Sequence, residues 1–239
     1  NLKNASFIRA MFEEGEKLRK IYGADKIYDF TLGNPDGEPP QSVDTAIKKY
    51  TSGSYNGIHH YMNNAGYTDV REKISQEYSK ETGLTMNFNN VIMTCGAAGG
   101  LNIALKTILN PDEEVIVFAP FFPEYKFYTD NHGGKIVIVK TDNNTFQPDV
   151  NELKNHINAK TKAIIINTPN NPTGVVYSEE CLKNIAALIE SKEKELGTTI
   201  FVLSDEPYSK LVYDGAKVPS ILSIFKNSVV INSFSKSLA

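Results

Sequence analysis

Reactive and ligand-binding side chains follow several apolar runs of this sequence. Lys236 comes after "SVVINS", Asp205 comes after "TIFVLS", and Tyr208 stands three residues further on. Asn171 lies in "TPNNPTG", which follows "KAIIIN", and the small residues of "CGAAGGL" follow "NVIMT". An amine can bond covalently to a carbonyl carbon, a carboxylate can hold a cationic nitrogen, and backbone N–H groups that open a helix can bind phosphate. Together these groups could form a cofactor site.

Such a site requires a fold that brings the ends of several strands to one edge. Apolar, β-branched runs alternate with helical patterns, which is typical of an α/β domain with a largely parallel sheet. The helical patterns are clearest at 66–83 and 178–197, the second with Ser178 as N-cap and Gly197 just past its end. Open parallel sheets bind ligands at the carboxyl ends of their strands, where we expect the site. The predicted strands are 90–94, 114–119, 135–140, 162–167, 199–204 and 228–233.

Each of these features also has an ordinary structural explanation. Small residues at a strand–helix turn allow close packing, paired asparagines can cap their own turn, and a lysine at a strand end is usually a solvated charge. A carboxylate beside a buried strand end, such as Asp205, needs a partner. The combination favours pyridoxal phosphate, which requires an amine for a Schiff base, N–H groups for its phosphate and a carboxylate for its ring nitrogen. Asn171 and Tyr208 have the right types to donate to its ring oxygen.

Six motifs carry a resemblance to a known family: "YMNNAGYTDVREKI", "CGAAGGL", "APFFPEY", "NTPNNPTG", "SDEPY" and "SFSKS". In this order they resemble the class I/II aminotransferases, pyridoxal-phosphate enzymes of fold type I. The resemblance implies a three-layer α/β/α fold with a mostly parallel, mixed sheet. It implies an N-terminal helix and arm over residues 1–40, as part of a small domain, and a cofactor-binding large domain over 41–239. The implied reaction moves an amino group between an L-amino acid and a 2-oxo acid.

The resemblance also assigns catalytic roles. Lys236 would form the Schiff base and later move the proton from the substrate Cα to the cofactor. Asp205 would pair with the pyridinium nitrogen and so preserve the ring as an electron sink. Asn171 and Tyr208 would bind the ring hydroxyl, and the backbone around Gly33, together with Asn171, would contact the substrate.

The implied phosphate site combines two segments. The amides of Ala97 and Ala98, after Gly96, would hold the phosphate together with the hydroxyls of Ser233 and Ser235. We also expect Cys95, which directly precedes this loop, to be a small buried side chain beneath it.

Two aromatic residues complete the implied cofactor site. Phe122 would stack on the cofactor ring, and Tyr61 would reach the phosphate of the neighbouring subunit, which implies a homodimer. Phe122 also fits a plain core position, and Tyr61 also fits a surface position beside His59 and His60. These histidines lack a third ligand at metal-like spacing, so we predict no metal site.

The composition narrows the class of protein further. The chain has 239 residues, 41% of them hydrophobic and 22% charged, and a net charge of -3. We therefore expect neither nucleic acid nor a membrane as a partner, and no apolar stretch approaches the roughly 20 residues that span a bilayer. Two cysteines without ligand spacing favour a reducing, cytoplasmic setting.

Two parts of the family pattern are not found in the sequence. These are the Pro-Gly-x-Arg stretch that follows the lysine and the C-terminal small domain with its carboxylate-binding arginine, so we expect the chain to be a fragment. Two alternatives to an aminotransferase stay open at this point. One is a carbon–sulfur lyase with the same cofactor, and the other is a non-catalytic aminotransferase-like fragment or regulatory domain. The joint retention of the lysine, Asp205, Asn171 and Tyr208 favours the aminotransferase.

Overall fold

A parallel β-sheet with helices on both faces forms the body of the chain. The computed structural model describes residues 7–30, 33, 37–53 and 57–238. The sheet order in this part of the chain is β2-β1-β3-β4-β5, and all four strand pairings are parallel, which confirms the predicted α/β class. The strands are β1 (Glu114–Ala119), β2 (Lys135–Lys140), β3 (Thr161–Asn167), β4 (Phe201–Asp205) and β5 (Ser228–Ile231).

Helices connect these strands, and their ends follow the capping signals of the sequence. Ser178 Oγ accepts a hydrogen bond of 3.1 Å from the Cys181 N–H at the start of α7, and Gly197 ends the helix with a left-handed φ of 65°. None of the helices in the described ranges is long and apolar enough to cross a membrane. Within those ranges the helices are α1 (Phe7–Tyr22), α2 (Gln41–Thr51), α3 (Thr68–Thr82), α4 (Gly96–Ile108), α5 (Tyr125–Asp130), α6 (Val150–His156), α7 (Glu179–Leu196), α8 (Ile221–Ile224) and α9 (Phe234–Ser237).

Side chains of the central strands alternate between two hydrophobic cores. On one face, Ile116 and Ile164 are buried in a cluster that includes residues of α6 and α7. On the other face, Val117 and Ile165 are buried in a cluster that includes residues of α4 and α5. Because both faces are covered, these strands are nearly continuous apolar runs, and this is why the sequence predicts them well.

The strand predicted at 90–94 does not form. Asn90 ends a short 3₁₀ turn (Phe88–Asn90), and residues 91–94 pair with no strand in the part of the chain that the structure describes. The Met93 N–H donates instead to the carbonyl oxygen of Ala65 at 2.9 Å, and the buried Arg71 guanidinium donates to that of Val91 at 2.7 Å. β-Branched residues favour an extended backbone, but a strand also needs a neighbouring edge for its N–H and C=O groups.

The division into residues 1–40 and 41–239 stays a prediction. The Pro/Gly-rich segment 32–42 marks it in the sequence, but residues 31–32 and 34–36 lie outside the described part of the chain. The regular structure after it begins with α2, directly after Pro40.

Candidate active site

The carboxyl ends of three neighbouring strands lie level with one another. Asn167 at the end of β3 pairs with Asp205 at the end of β4, and Asp205 pairs with Ile231 at the end of β5. Helix α4 packs closely against this edge, because a Cβ atom at Gly100 would lie only 2.9 Å from Ile231 Cγ2. The segments that follow these strands therefore start from one edge of the sheet, as the sequence predicts.

Asp205 has a buried carboxylate in which one oxygen accepts a hydrogen bond and the other has no hydrogen-bond partner among the described residues. The residue is 6% exposed, and its Oδ2 accepts a hydrogen bond of 2.6 Å from the hydroxyl of Tyr125. Its Oδ1 is buried without a hydrogen-bond partner among the described residues. Burial raises the pKa of Asp205 to about 6, and the Tyr125 hydrogen bond opposes this rise. Since leaving a buried acceptor unsatisfied is costly, Oδ1 is well suited to accept an N–H group of a ligand.

Tyr125 is a component of the site that no sequence pattern singled out. It is the first residue of α5 and is 1% exposed, and its ring contacts that of Phe122 edge-on at 5.6 Å between centroids. Burial raises the pKa of its hydroxyl well above the ordinary value, so the group stays protonated and donates. Its neighbours in "APFFPEY" make it look like a core aromatic, and its polar partner is 80 residues away.

Asn171 and Tyr208 lie within hydrogen-bond distance of each other. The Asn171 Nδ2 donates to the Tyr208 hydroxyl oxygen at 3.3 Å, and burial raises the pKa of that hydroxyl. The buried Asn167 side chain positions this pair relative to the carboxylate. Its Nδ2 donates to the Asp205 carbonyl oxygen at 2.8 Å, and its Oδ1 accepts from the Asn171 N–H at 2.6 Å. Asn167 is thus a second site residue missing from the sequence prediction, since it reads as the last residue of a strand.

Backbone donors and hydroxyl groups meet at the start of α4. Gly96 opens this helix with a left-handed φ of 67°, and a Cβ atom there would lie 3.8 Å from Ser233 Oγ. Ser233 Oγ lies 2.9 Å from Ser235 Oγ. The N–H groups of Ala97 and Ala98 belong to the first helical turn, where no N-cap side chain accepts a hydrogen bond. This combination of donors suits a phosphate group.

The prediction that Cys95 is buried was wrong, because its side chain is exposed. It occupies the N-cap position of α4, from which a side chain projects at the helix end rather than into the sheet.

Among the described residues, no hydrogen bond or salt bridge joins Asp205 to Lys236, Tyr61 or Gly33. Lys236 lies in α9, just past β5, with an exposed side chain whose amine has no hydrogen bond or salt bridge to a described residue. Tyr61 is fully exposed. Gly33 is exposed, and its neighbours at 31–32 and 34–36 lie outside the described residues.

Glu206 is a second buried carboxylate next to the site. Its Oε1 accepts a hydrogen bond of 2.7 Å from Ser204 Oγ, and its N–H donates to the Ile231 carbonyl oxygen at 2.8 Å. Burial raises the pKa of Glu206 to about 7. The strand end therefore holds two adjacent buried acids whose pKa values are both raised by burial.

Known proteins share both the sequence and the architecture of this chain. A family model for aminotransferase class I and II matches residues 25–239. An aspartate aminotransferase of Pyrococcus horikoshii is 35% identical over 98% of this chain and 56% of its own length. Aromatic-amino-acid aminotransferase 2 of Thermococcus litoralis is 34% identical over 99% of this chain and 58% of its own length.

A solved structure agrees with these relatives. The crystal structure of an aminotransferase from Eubacterium rectale superposes with a TM-score of 0.92 at 41% identity, over 98% of this chain and 59% of that one. The chain thus spans little more than half the length of the proteins that it matches.

Proposed function

Because this chain belongs to the class I and II aminotransferase family, which depends on pyridoxal 5′-phosphate, we propose that it binds this cofactor at the carboxyl edge of its sheet. The observation that carries the proposal is the buried Oδ1 of Asp205, which has no hydrogen-bond partner among the described residues. A protonated ring nitrogen would give this oxygen both a donor and an opposite charge.

The residues around Asp205 would hold the rest of the cofactor. Asn171 Nδ2 and the Tyr208 hydroxyl would donate to the ring oxygen. The half-buried Phe122 would cover one face of the ring. The phosphate would lie among the first amides of α4 and two serine hydroxyls, with the residues Gly96, Ala97, Ala98, Ser233 and Ser235.

Lys236 provides the reactive amine in this proposal. It would hold the cofactor covalently through the aldehyde carbon, whose oxygen leaves as water, and its amine, once displaced by the amine of the substrate, would serve as the base for the proton at the substrate Cα. When bound, the cofactor supplies a protonated ring that draws electrons away from the substrate Cα, and Asp205 would hold that proton in place.

We propose an L-amino acid and a 2-oxo acid as substrates, and transamination as the reaction. Gly33 and Asn171 would contact the substrate. The named relatives act on aspartate and on aromatic amino acids, which have different side chains. The proposal therefore names an L-amino acid as the amino donor and no particular side chain. We also propose a homodimer, in which the exposed Tyr61 reaches the phosphate of the neighbouring subunit, and a cytoplasmic location.

Borohydride trapping tests the cofactor site. The purified protein is incubated with pyridoxal phosphate, reduced and digested, and the modified peptide is identified by mass spectrometry. We expect one cofactor on Lys236 and none on the Lys236→Arg variant. Exclusive labelling of another lysine would contradict the site.

Transamination is tested separately by single turnover. The cofactor-loaded protein is mixed with aspartate, tyrosine or alanine, and the released 2-oxo acid is measured. We expect up to one equivalent per subunit with at least one amino acid. Labelling of Lys236 without oxo-acid release from any of them would support binding and contradict the activity.

A further inference from the structure

The hydrogen bond between Tyr125 and Asp205 fixes the position of one carboxylate oxygen and leaves the other free to accept a hydrogen bond from a ligand. The Tyr125 Oη lies 2.6 Å from Oδ2, a length typical of a hydroxyl that donates to an ionised carboxylate. Oδ1 of the same carboxylate is buried without a donor among the described residues. The two oxygens are therefore distinct in this structure, although they are chemically equivalent in a free aspartate.

The backbone alone does not decide which oxygen points in which direction. The β4 ladder and the Asn167 side chain, which donates to the Asp205 carbonyl oxygen at 2.8 Å, hold the main chain. The terminal torsion of an aspartate is broad, so the carboxylate can still turn about its last bond. The Tyr125 hydroxyl removes that freedom.

Tyr125 is itself held rigidly. Its ring is 1% exposed, contacts Phe122 edge-on, and packs in the same hydrophobic cluster as Val117 and Ile165. A donor with so little room to move can define the direction of its acceptor, whereas an exposed serine or lysine could not.

The Tyr125 hydroxyl also affects the pKa of Asp205, because no cation balances this carboxylate among the described groups that act on it. The other titratable groups that act electrostatically with this carboxylate are Tyr128, Tyr208 and Glu206. None of the three is a cation, and burial favours the neutral acid. Of the influences on the pKa of Asp205, the Tyr125 hydrogen bond is the one that lowers it.

We propose that Tyr125 is a positioning residue, whose hydroxyl holds Oδ2 of Asp205 and so keeps Oδ1 turned toward the cofactor's ring nitrogen. This inference rests on the proposed cofactor site and adds to it a residue from a different segment of the chain. Without the hydroxyl, the carboxylate is more basic and free to turn, and it takes the proton from the ring more readily.

Nitrogen NMR of the loaded protein tests this role. Wild type and Tyr125→Phe are loaded with pyridoxal phosphate labelled with ¹⁵N in the ring. We expect a cationic ring nitrogen in wild type and a shift toward neutral pyridine in the variant. We also expect the dissociation constant of the cofactor to rise roughly tenfold, which corresponds to about 1.4 kcal/mol.

Tyr177→Phe is the matched control. Tyr177 is also 1% exposed, but its hydroxyl accepts a hydrogen bond of 3.3 Å from Asn170 Nδ2 rather than donating to Asp205. It should lose stability without any change in the ring nitrogen. If Tyr125→Phe behaves like this control, with an unchanged nitrogen shift and affinity, the positioning role is wrong.

A cofactor-free measurement separates this inference from the proposed function. With ¹³C-labelled aspartate, the titration midpoint of Asp205 should be higher in Tyr125→Phe than in wild type. An unchanged midpoint overturns the inference, whereas a raised midpoint in a protein that binds no cofactor supports the contact and contradicts the cofactor site. If Tyr125→Phe does not fold, 3-fluorotyrosine at position 125 keeps the hydroxyl as a more acidic donor, and it should lower the midpoint.

Discussion

Asp205 and Glu206 are adjacent residues with raised pKa values. Burial raises both, but the two carboxyls accept hydrogen bonds from different hydroxyl groups. Tyr125 donates to the first and Ser204 to the second, and burial raises the pKa of Asp205 to about 6 and that of Glu206 to about 7. In both residues the hydroxyl donor opposes the effect of burial on the pKa. At the residue scale, what separates them is Oδ1 of Asp205, which is buried without a hydrogen-bond partner among the described residues and can accept an N–H group of a ligand.

Glu206→Gln should change how stability depends on pH. A carboxyl whose pKa is higher in the folded than in the unfolded state stabilises the fold below its unfolded pKa, and this contribution is lost as pH rises through the folded value of about 7. From pH 4.5 to pH 8, the variant should gain stability relative to wild type by on the order of 3 kcal/mol. Urea denaturation of the cofactor-free proteins at both pH values measures this, with the exposed Glu190→Gln as control. An equal pH dependence in Glu206→Gln and wild type would contradict the prediction.

Asn167→Ala should weaken both the fold and the site. The variant loses two hydrogen bonds and leaves the Asn171 N–H and the Asp205 carbonyl without this partner. We expect a loss of about 2–4 kcal/mol in the free energy of unfolding, because each unsatisfied buried group costs about 1–3 kcal/mol. The exposed Asn89→Ala should change stability by less than about 0.5 kcal/mol in the same denaturation experiment. A similar effect of both changes would argue against the bridging role of Asn167.

At the scale of elements, the close contact between α4 and β5 sets the position of the phosphate loop. The helix carries two successive glycines, Gly99 and Gly100, and they differ in what a Cβ atom would meet. At Gly100 it would lie 2.9 Å from Ile231 Cγ2, but at Gly99 the nearest atom is Cys95 Cβ at 3.5 Å. Only the second glycine is therefore required for the approach of α4 to the sheet.

These two glycines give a matched pair of variants. Gly100→Ala should destabilise the protein by about 1–3 kcal/mol, because the methyl group forces α4 away from Ile231. Gly99→Ala should be neutral or stabilising by up to about 1 kcal/mol, since alanine is the better helix former. Thermal unfolding measures both effects, and a larger loss of stability in Gly99→Ala than in Gly100→Ala would contradict the close contact of Gly100 with Ile231.

At the scale of the whole molecule, the sheet formed by the described residues is buried at its centre and more exposed at β5. Ile164 in β3 is completely buried between two strands, and Val229 in the edge strand β5 is 43% exposed. The ends of these strands carry the site, so the centre of the sheet supplies the rigidity on which Asp205 depends.

Ile164→Ala should lower the free energy of unfolding by about 2–5 kcal/mol, because it leaves a cavity between packed layers. Val229→Ala should lower the free energy of unfolding by less than about 1 kcal/mol. The Val229 side chain already contacts solvent, so the substitution removes little buried apolar area. Urea denaturation of the two variants checks the difference. Equal losses would show that the edge strand is as well covered as the centre.

The sequence by itself determined the parts of this protein that depend on neighbouring residues. The buried parallel strands, the capped helix α7 and the order of the motifs could be predicted, because apolar periodicity and capping signals act over a few residues. The six motifs in their order were likewise enough to predict the family.

Only the tertiary structure decided which groups meet across the chain. The segment at 90–94 has strand composition but finds no strand to pair with among the described residues, and Cys95 is exposed at the N-cap of α4. The contact of Tyr125 with Asp205 spans 80 residues, and that of Asn167 with Asp205 spans 38. Such contacts depend on how strands and helices pack in three dimensions, and no local sequence pattern encodes them.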